Sequence, residues 1–85
     1  MNRFSYTEID EPVKIAVIFE KSAILPRWFV WKNRKHIIRD ITYTWIDTSR
    51  GRKHICFSVW DGSNLYEISM DSKYFTWRLE KVYIE

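Results

Sequence analysis

Short polar loops separate apolar runs whose spacing lets only a few strand registers keep one face apolar. A one-residue slip in an antiparallel pair moves every side chain of a strand to the opposite face, so a proposed register is a strong test. The runs "HICFSVW" and "LYEISM" flank the loop Asp61-Gly62-Ser63-Asn64. Setting Trp60 opposite Leu65 places Val59 against Tyr66, Phe57 against Ile68 and Ile55 against Met70. Continuing through the loop Asp71–Tyr74 predicts Met70 opposite Phe75, Ile68 opposite Trp77 and Tyr66 opposite Leu79. On the other side, a loop centred on Gly51 predicts Trp45 opposite Ile55, Tyr43 opposite Phe57 and Ile41 opposite Val59. Four strands then share one apolar face, and that mutual consistency outweighs any single run. The other face reads Thr42, Thr44, Cys56, Ser58, Glu67, Ser69, Thr76 and Arg78, with Ile46, Trp60 and Leu65 as exceptions. A small, polar face suits the solvated side of an antiparallel sheet.

Composition agrees. Helical periodicity is poor, and β-branched and aromatic residues dominate the runs. The 85 residues suffice for one domain, here read as 1–85. Five Trp, five Tyr and five Phe give so short a chain bulky side chains with which to build a core. Residues 1–10 are expected to be a frayed tail or a short added element, with "SYTEIDEP" a candidate helical turn. The one cysteine, Cys56, cannot form an internal disulfide, which fits a reducing compartment. With no apolar run long enough to span a membrane, the expectation is a cytoplasmic protein without membrane contact.

The stretch "PRWFVWKNRKH" adds a hairpin. A turn at Asn33-Arg34 would set Trp31 opposite His36 and Phe29 opposite Ile38, since Asn tolerates the positive φ of a tight turn. Core parity must then change between Ile38 and Ile41, which predicts a β-bulge near Arg39-Asp40. In "PVKIAVIFE", Val13, Ile15, Val17 and Phe19 alternate onto one face, and Val82 and Ile84 mark a last short strand. The predicted fold is an all-β antiparallel meander of about six or seven strands, curled into an SH3-like barrel or half-barrel.

One set of residues resembles a known family: Glu11-Pro12-Val13, Pro26, Phe29, Trp31, Asn33-Arg34, Ile38, Ile41, Trp45, Tyr66, Ile68, Trp77, Leu79 and Val82-Tyr83. Together they are similar to a bacterial family of unknown function. That family occurs as small stand-alone proteins and at the C-terminus of some Y-family-DNA-polymerase-like mutagenesis proteins. The resemblance runs from about residue 11 to the end. It departs at Asn33, where the family usually has Gly, and at His36, where Tyr is usual. It implies a link to DNA damage tolerance by fusion in some relatives, and it carries over no catalytic residue.

Catalytic readings are weak. His54 and Cys56 are two apart on a strand, roughly 6.5–7 Å along its axis, beyond direct hydrogen bonding. Two His and one Cys without a paired spacing do not resemble a zinc site. Asp61 and Asp71 fall in loops at opposite ends of a strand, where Asp ordinarily shapes turns. No catalytic residue, metal or cofactor is assigned.

Charge is more informative. Residues 21–53 hold nine basic and two acidic side chains, whereas both flanking segments are net acidic. Small barrels bind single strands by stacking bases on aromatics beside a basic groove. The candidate set is Arg27, Trp28, Lys32, Arg34, Lys35, Arg39, Arg50, Arg52 and Lys53, with Trp28 expected to be exposed. Lys32–Lys35 and Arg50–Lys53 sit in turns at opposite ends of one strand, ~30 Å apart if it were straight. The expectation is a non-enzymatic binding module whose partner is a single-stranded nucleic acid or a DNA-processing protein. The alternative is a protein-interaction module or homodimer anchored by Trp28, Trp60 and Leu65.

Overall fold

The computed structural model describes residues 5–84. It contains eight strands among those residues: β1 (Ser5–Pro12), β2 (Lys14–Glu20), β3 (Ala23–Trp31), β4 (Arg34–Ile37), β5 (Asp40–Asp47), β6 (His54–Trp60), β7 (Leu65–Asp71) and β8 (Trp77–Ile84). All pairings are antiparallel. They form a five-stranded sheet, β1-β8-β7-β6-β5, and a three-stranded sheet, β2-β3-β4. The architecture is the expected all-β, antiparallel one, with eight strands in place of six or seven. No helix of the described residues is long and apolar enough to cross a membrane.

The chain passes between the sheets at two corners. At Pro12–Val13 it leaves β1 for β2, and Val13 N–H donates to Trp77 O. At Ile38–Arg39 it leaves β4 for β5: Ile38 N–H donates to Arg27 O in one sheet, and Arg39 N–H donates to Trp60 O in the other. The bend predicted near Arg39-Asp40 is thus a strand break, followed by a bulge between Ile41 and Tyr43. Between the sheets lies the core of Phe29, Phe57, Val59, Tyr66, Ile68, Met70, Trp77, Leu79 and Val82. Phe57 and Trp77 stack at 5.6 Å, and Tyr66 meets Phe29 edge-on at 5.2 Å.

The β6–β7 register matches the sequence reading pair for pair. Its loop is held by Asp61, whose Oδ1 accepts the N–H groups of Ser63 and Asn64, so loop length and register are fixed together. The β7–β8 register is shifted from expectation, by two at Met70 and Ile68, which face Trp77 and Leu79, and by three at Tyr66, which faces Val82 beyond a bulge. The turn is longer because Asp71 Oδ1 accepts from Lys73 N–H and Asp71 O accepts from Phe75 N–H. Phe75 is carried into the turn with φ 60° and is exposed, not core. A two-residue shift keeps parity, so Trp77 and Leu79 stay inside.

The β5–β6 register fails differently. The bulge after Ile41 inverts parity, so Tyr43 faces Ser58 and Trp45 faces Cys56 on the outer side, while Thr44 and Ile46 face Phe57 and Ile55 on the inner side. In the β3–β4 hairpin the turn is Lys32-Asn33, with φ 52° and 60°, not Asn33-Arg34. Both central residues are left-handed, as a type I′ turn requires. Phe29 therefore faces His36 and Trp31 faces Arg34. The register shift between Ala16 and Val17 skips Arg27 of β3, so β2 keeps its parity and Val13, Ile15 and Val17 pack against the core as expected, while Phe19, opposite Ile24 at the far end, is exposed. Residues 5–12 form an edge strand against β8, the short added element of the two alternatives expected for the N-terminal stretch and not the candidate helical turn; residues 1–4 of that expectation lie outside the described residues.

Candidate nucleic-acid interface

The nine candidate residues do not form one surface. Arg34, Lys35 and Arg39 line a groove between β4 and the β6–β7 loop, together with His36, Asp61, Ser63 and Asn64. Arg50 and Arg52 line a second groove with His54, Ser69, Asp71 and Arg78. The two grooves flank opposite ends of the β6–β7 pair, since Asp61–Asn64 joins one end and His54 faces Asp71 at the other. Arg27 lines an adjoining hollow with Pro26, Ile38, Asp40 and Arg39, the last shared with the first groove. Lys32 sits in the hairpin turn with its ammonium over Trp31 at 4.8 Å. Lys53 stays by the β7–β8 turn, where its carbonyl accepts from Ser72 N–H and Oγ.

Neighbouring acids separate the two grooves further. Arg50 pairs with Glu80 at 3.0 Å and Asp47 at 3.7 Å. Arg52 pairs with Asp71 at 2.7 Å. Arg78 pairs with Asp10 at 2.9 Å. Glu80 also accepts a hydrogen bond from Ser69 Oγ. Every arginine of this groove is matched by a carboxylate, and the backbone N–H of Lys73 leads the contacts that hold Asp71 below the usual carboxylate range. The Arg34–Lys35–Arg39 groove differs: among the described residues none of its three cations lies within ion-pair distance of a carboxylate.

Its one lining acid is already engaged. Asp61 Oδ2 lies 3.1 Å from His36 Nδ1, which also lies 3.3 Å from Tyr66 Oη. Burial raises the Asp61 carboxyl, but the N–H groups of Asn64 and Ser63 and the His36 contact outweigh it and hold it low. His36 stacks on Phe29 at 4.9 Å and meets Tyr66 and Trp31, so the imidazole is walled by aromatics. Its Nε2 and the Trp31 Nε1 are buried without a partner among the described residues. This network ties β4 to the β6–β7 loop and so fixes one wall of the groove against the other. Arg39 runs across Gly62, where an added Cβ would meet its Nε at 3.0 Å. Gly62 has φ 100°, a conformation that favours glycine, so one residue serves both the turn and the passage of the arginine.

Trp28 is half-buried, not exposed as expected, and the Lys35 ammonium lies over its ring at 4.5 Å. Trp60 is partly exposed and Leu65 half-buried; they face each other on the outer side of the five-stranded sheet, away from Trp28. The sequence reading missed the aromatics beside them. Tyr43 stacks on Trp45 at 5.5 Å, and Tyr6 meets Tyr83 at 5.6 Å, all on that outer face. It also missed the His36–Asp61–Tyr66 contact. Asn33 was the available signal, because reading Lys32-Asn33 as the turn puts His36 opposite Phe29.

The cysteine meets the second histidine at that residue's backbone carbonyl and not at its imidazole. Cys56 Sγ lies 3.9 Å from the His54 carbonyl, while His54 Nδ1 is 3.1 Å from Arg52 O. Burial pushes the Cys56 thiol up to about 11. Among the described residues no three His, Cys, Asp or Glu side chains converge as a metal site would require. No family model, no curated protein and no solved structure matches this chain, so the family resemblance rests on its quoted residues alone.

Proposed function

We propose that this domain is a non-enzymatic module that binds single-stranded nucleic acid, with phosphates held by Arg34, Lys35 and Arg39 and one base stacked on Trp28. The observation that carries this reading is the contrast in pairing. Among the described residues, three cations without carboxylate partners line one groove, whereas the equally basic Arg50–Arg52–Arg78 groove is matched acid for base. Only unpaired cations contribute fully to polyanion binding, because a paired one must first give up its carboxylate.

Lys35 over Trp28 does not oppose the stacking step. An exposed cation–π contact contributes roughly 0.5–1 kcal/mol, against roughly 1–3 kcal/mol for a base on an aromatic. The base wins the ring face and frees the ammonium for a neighbouring phosphate. The test is binding of a fluorescein-labelled oligothymidylate to the wild type and to Trp28→Ala, by anisotropy at low salt. The expected result is saturable binding that Trp28→Ala weakens. Absence of binding by the wild type at low salt would end this reading.

A second reading has its own support in the outer-face aromatics Tyr43, Trp45, Trp60, Tyr83 and Tyr6, a residue class enriched in protein interfaces. A homodimer or a DNA-processing protein would use that face. Its affinity would respond little to salt and strongly to Tyr43→Ala, the reverse of the nucleic-acid pattern.

A further inference from the structure

The two sheets leave a strand-shaped opening. Among the described residues, β5 is the last strand of its sheet and pairs only with β6. The first half of β3, Ala23–Leu25, pairs only with β2, because β4 ends at Ile37, opposite Trp28. The Ile38–Arg27 hydrogen bond closes the corner, and beyond it no backbone hydrogen bond among the described residues joins β3 to β5. Between these two free edges runs a groove with Ser22–Leu25 on one side, Ile41 and Thr44 on the other, and Ile55 and Phe57 of β6 as its floor.

Two features show that this part of the core lacks a cover. Ile46 faces Ile55, and Phe19 faces Ile24, so both belong to inner faces. Yet Ile46 is 57% exposed and Phe19 65% exposed. Apolar residues on inner faces are normally covered by the opposing layer, and a free edge beside them presents unpaired N–H and C=O groups to any extended chain. The charge of the groove is also one-sided. It adjoins, through Ile41, the hollow of Arg27 and Arg39. Neither arginine has a carboxylate within ion-pair distance among the described residues, and Asp40 is the one acid lining that hollow.

We propose that this groove takes an extended segment of a partner protein as an added β-strand between β3 and β5. Alternate aliphatic side chains of the segment lie on Ile55 and Phe57, and an acidic end lies at Arg27 and Arg39. Main-chain pairing supplies the affinity and the apolar floor and arginine end supply direction, the usual division in strand addition. The cationic end calls for an acidic segment; this chain's own β5, whose two ends, Asp40 and Asp47, are also acidic, is the competing occupant that the dimer measurement separates. The site shares Arg39 with the proposed phosphate groove, but its floor of Ile55 and Phe57 and the Thr44 position lie outside that groove, so loss of peptide binding by Thr44→Lys is read independently of oligonucleotide binding.

The probe is a fluorescein-labelled peptide, TITVTIDE, titrated with the full chain by anisotropy. Its partners are TITVTIKK and a copy of the first methylated on alternate backbone nitrogens. Binding of TITVTIDE is expected, weakened about tenfold or more by backbone methylation, since each lost hydrogen bond and the added bulk oppose pairing. Thr44→Lys, an exposed position beside the apolar floor, is expected to lose binding while melting like the wild type. Arg27→Glu is expected to shift preference toward TITVTIKK. No binding by the wild type, or binding indifferent to methylation, overturns the proposal. A concentration-dependent dimer abolished by Thr44→Lys also overturns it, because a second copy would then be the occupant.

Discussion

If carboxylate pairing decides which cations meet phosphate, two triple substitutions of equal charge should behave differently. One replaces Arg34, Lys35 and Arg39 by Gln; the other replaces Arg50, Arg52 and Arg78. For single strands each neutralised phosphate contributes ~0.7 to the slope of log affinity against log salt. Three free cations therefore give a slope of about −2, and raising salt from ~50 to ~200 mM should weaken binding about twentyfold. The first triple should flatten that slope toward zero. The second removes cations already matched by Asp47, Glu80, Asp71 and Asp10, so it should leave the slope unchanged. It should instead lower the melting temperature, because Asp71 is left buried beside an empty arginine position. The assay is anisotropy of labelled oligothymidylate across a salt series, with a thermal melt of each variant. Equal flattening by both triples would refute the pairing argument, as would an unchanged slope in the first.

Three further results follow from the packing. Trp77→Ala removes a buried ring stacked on Phe57 and should cost ~3–5 kcal/mol, enough to leave so small a domain mostly unfolded in a denaturant titration. Cys56 is 1% exposed with its thiol pushed up to about 11, so labelling by a thiol reagent near neutral pH should be slow and should track unfolding. Asp61 and Asp71 are both held below the ordinary carboxylate value of 3.8, so near that pH the unfolded chain binds more protons than the folded one. Their contribution is present above 3.8 and is lost as pH falls through the folded values; Asp61→Asn should reduce the acid-induced loss of stability measured by melts from neutral to acid pH.

Legibility in the sequence followed local closure. The β6–β7 register was readable because Asp61 binds its own loop, so the number of turn residues could be counted. At Asp71 the same device holds a longer loop, and counting failed by two residues; parity survived, and with it the core positions of Ile68, Trp77 and Leu79. In β5 the failure was one of parity. "ITYTWI" offers Ile41, Tyr43 and Trp45 on one face or Thr44 and Ile46 on the other, and both faces are partly apolar. Hydrophobic pattern cannot choose between them, and the bulge after Ile41 does.

The candidate site shows the other limit. A count of basic residues weighs Arg39 and Arg52 alike, because each is one charge in the same segment. Folding brings Asp71 against Arg52, from nineteen residues away, and brings no carboxylate within ion-pair distance of Arg39 among the described residues. The acids that cancel the second groove come from β1, the β5 end, the β7 end and β8. Three of them lie outside the basic segment altogether, in the stretches that read as acidic flanks. The net charge of a segment therefore set only an upper bound on its usable cations. The sheet order, which places β8 beside β7 and leaves β4 at an edge, decides which cations remain for a polyanion.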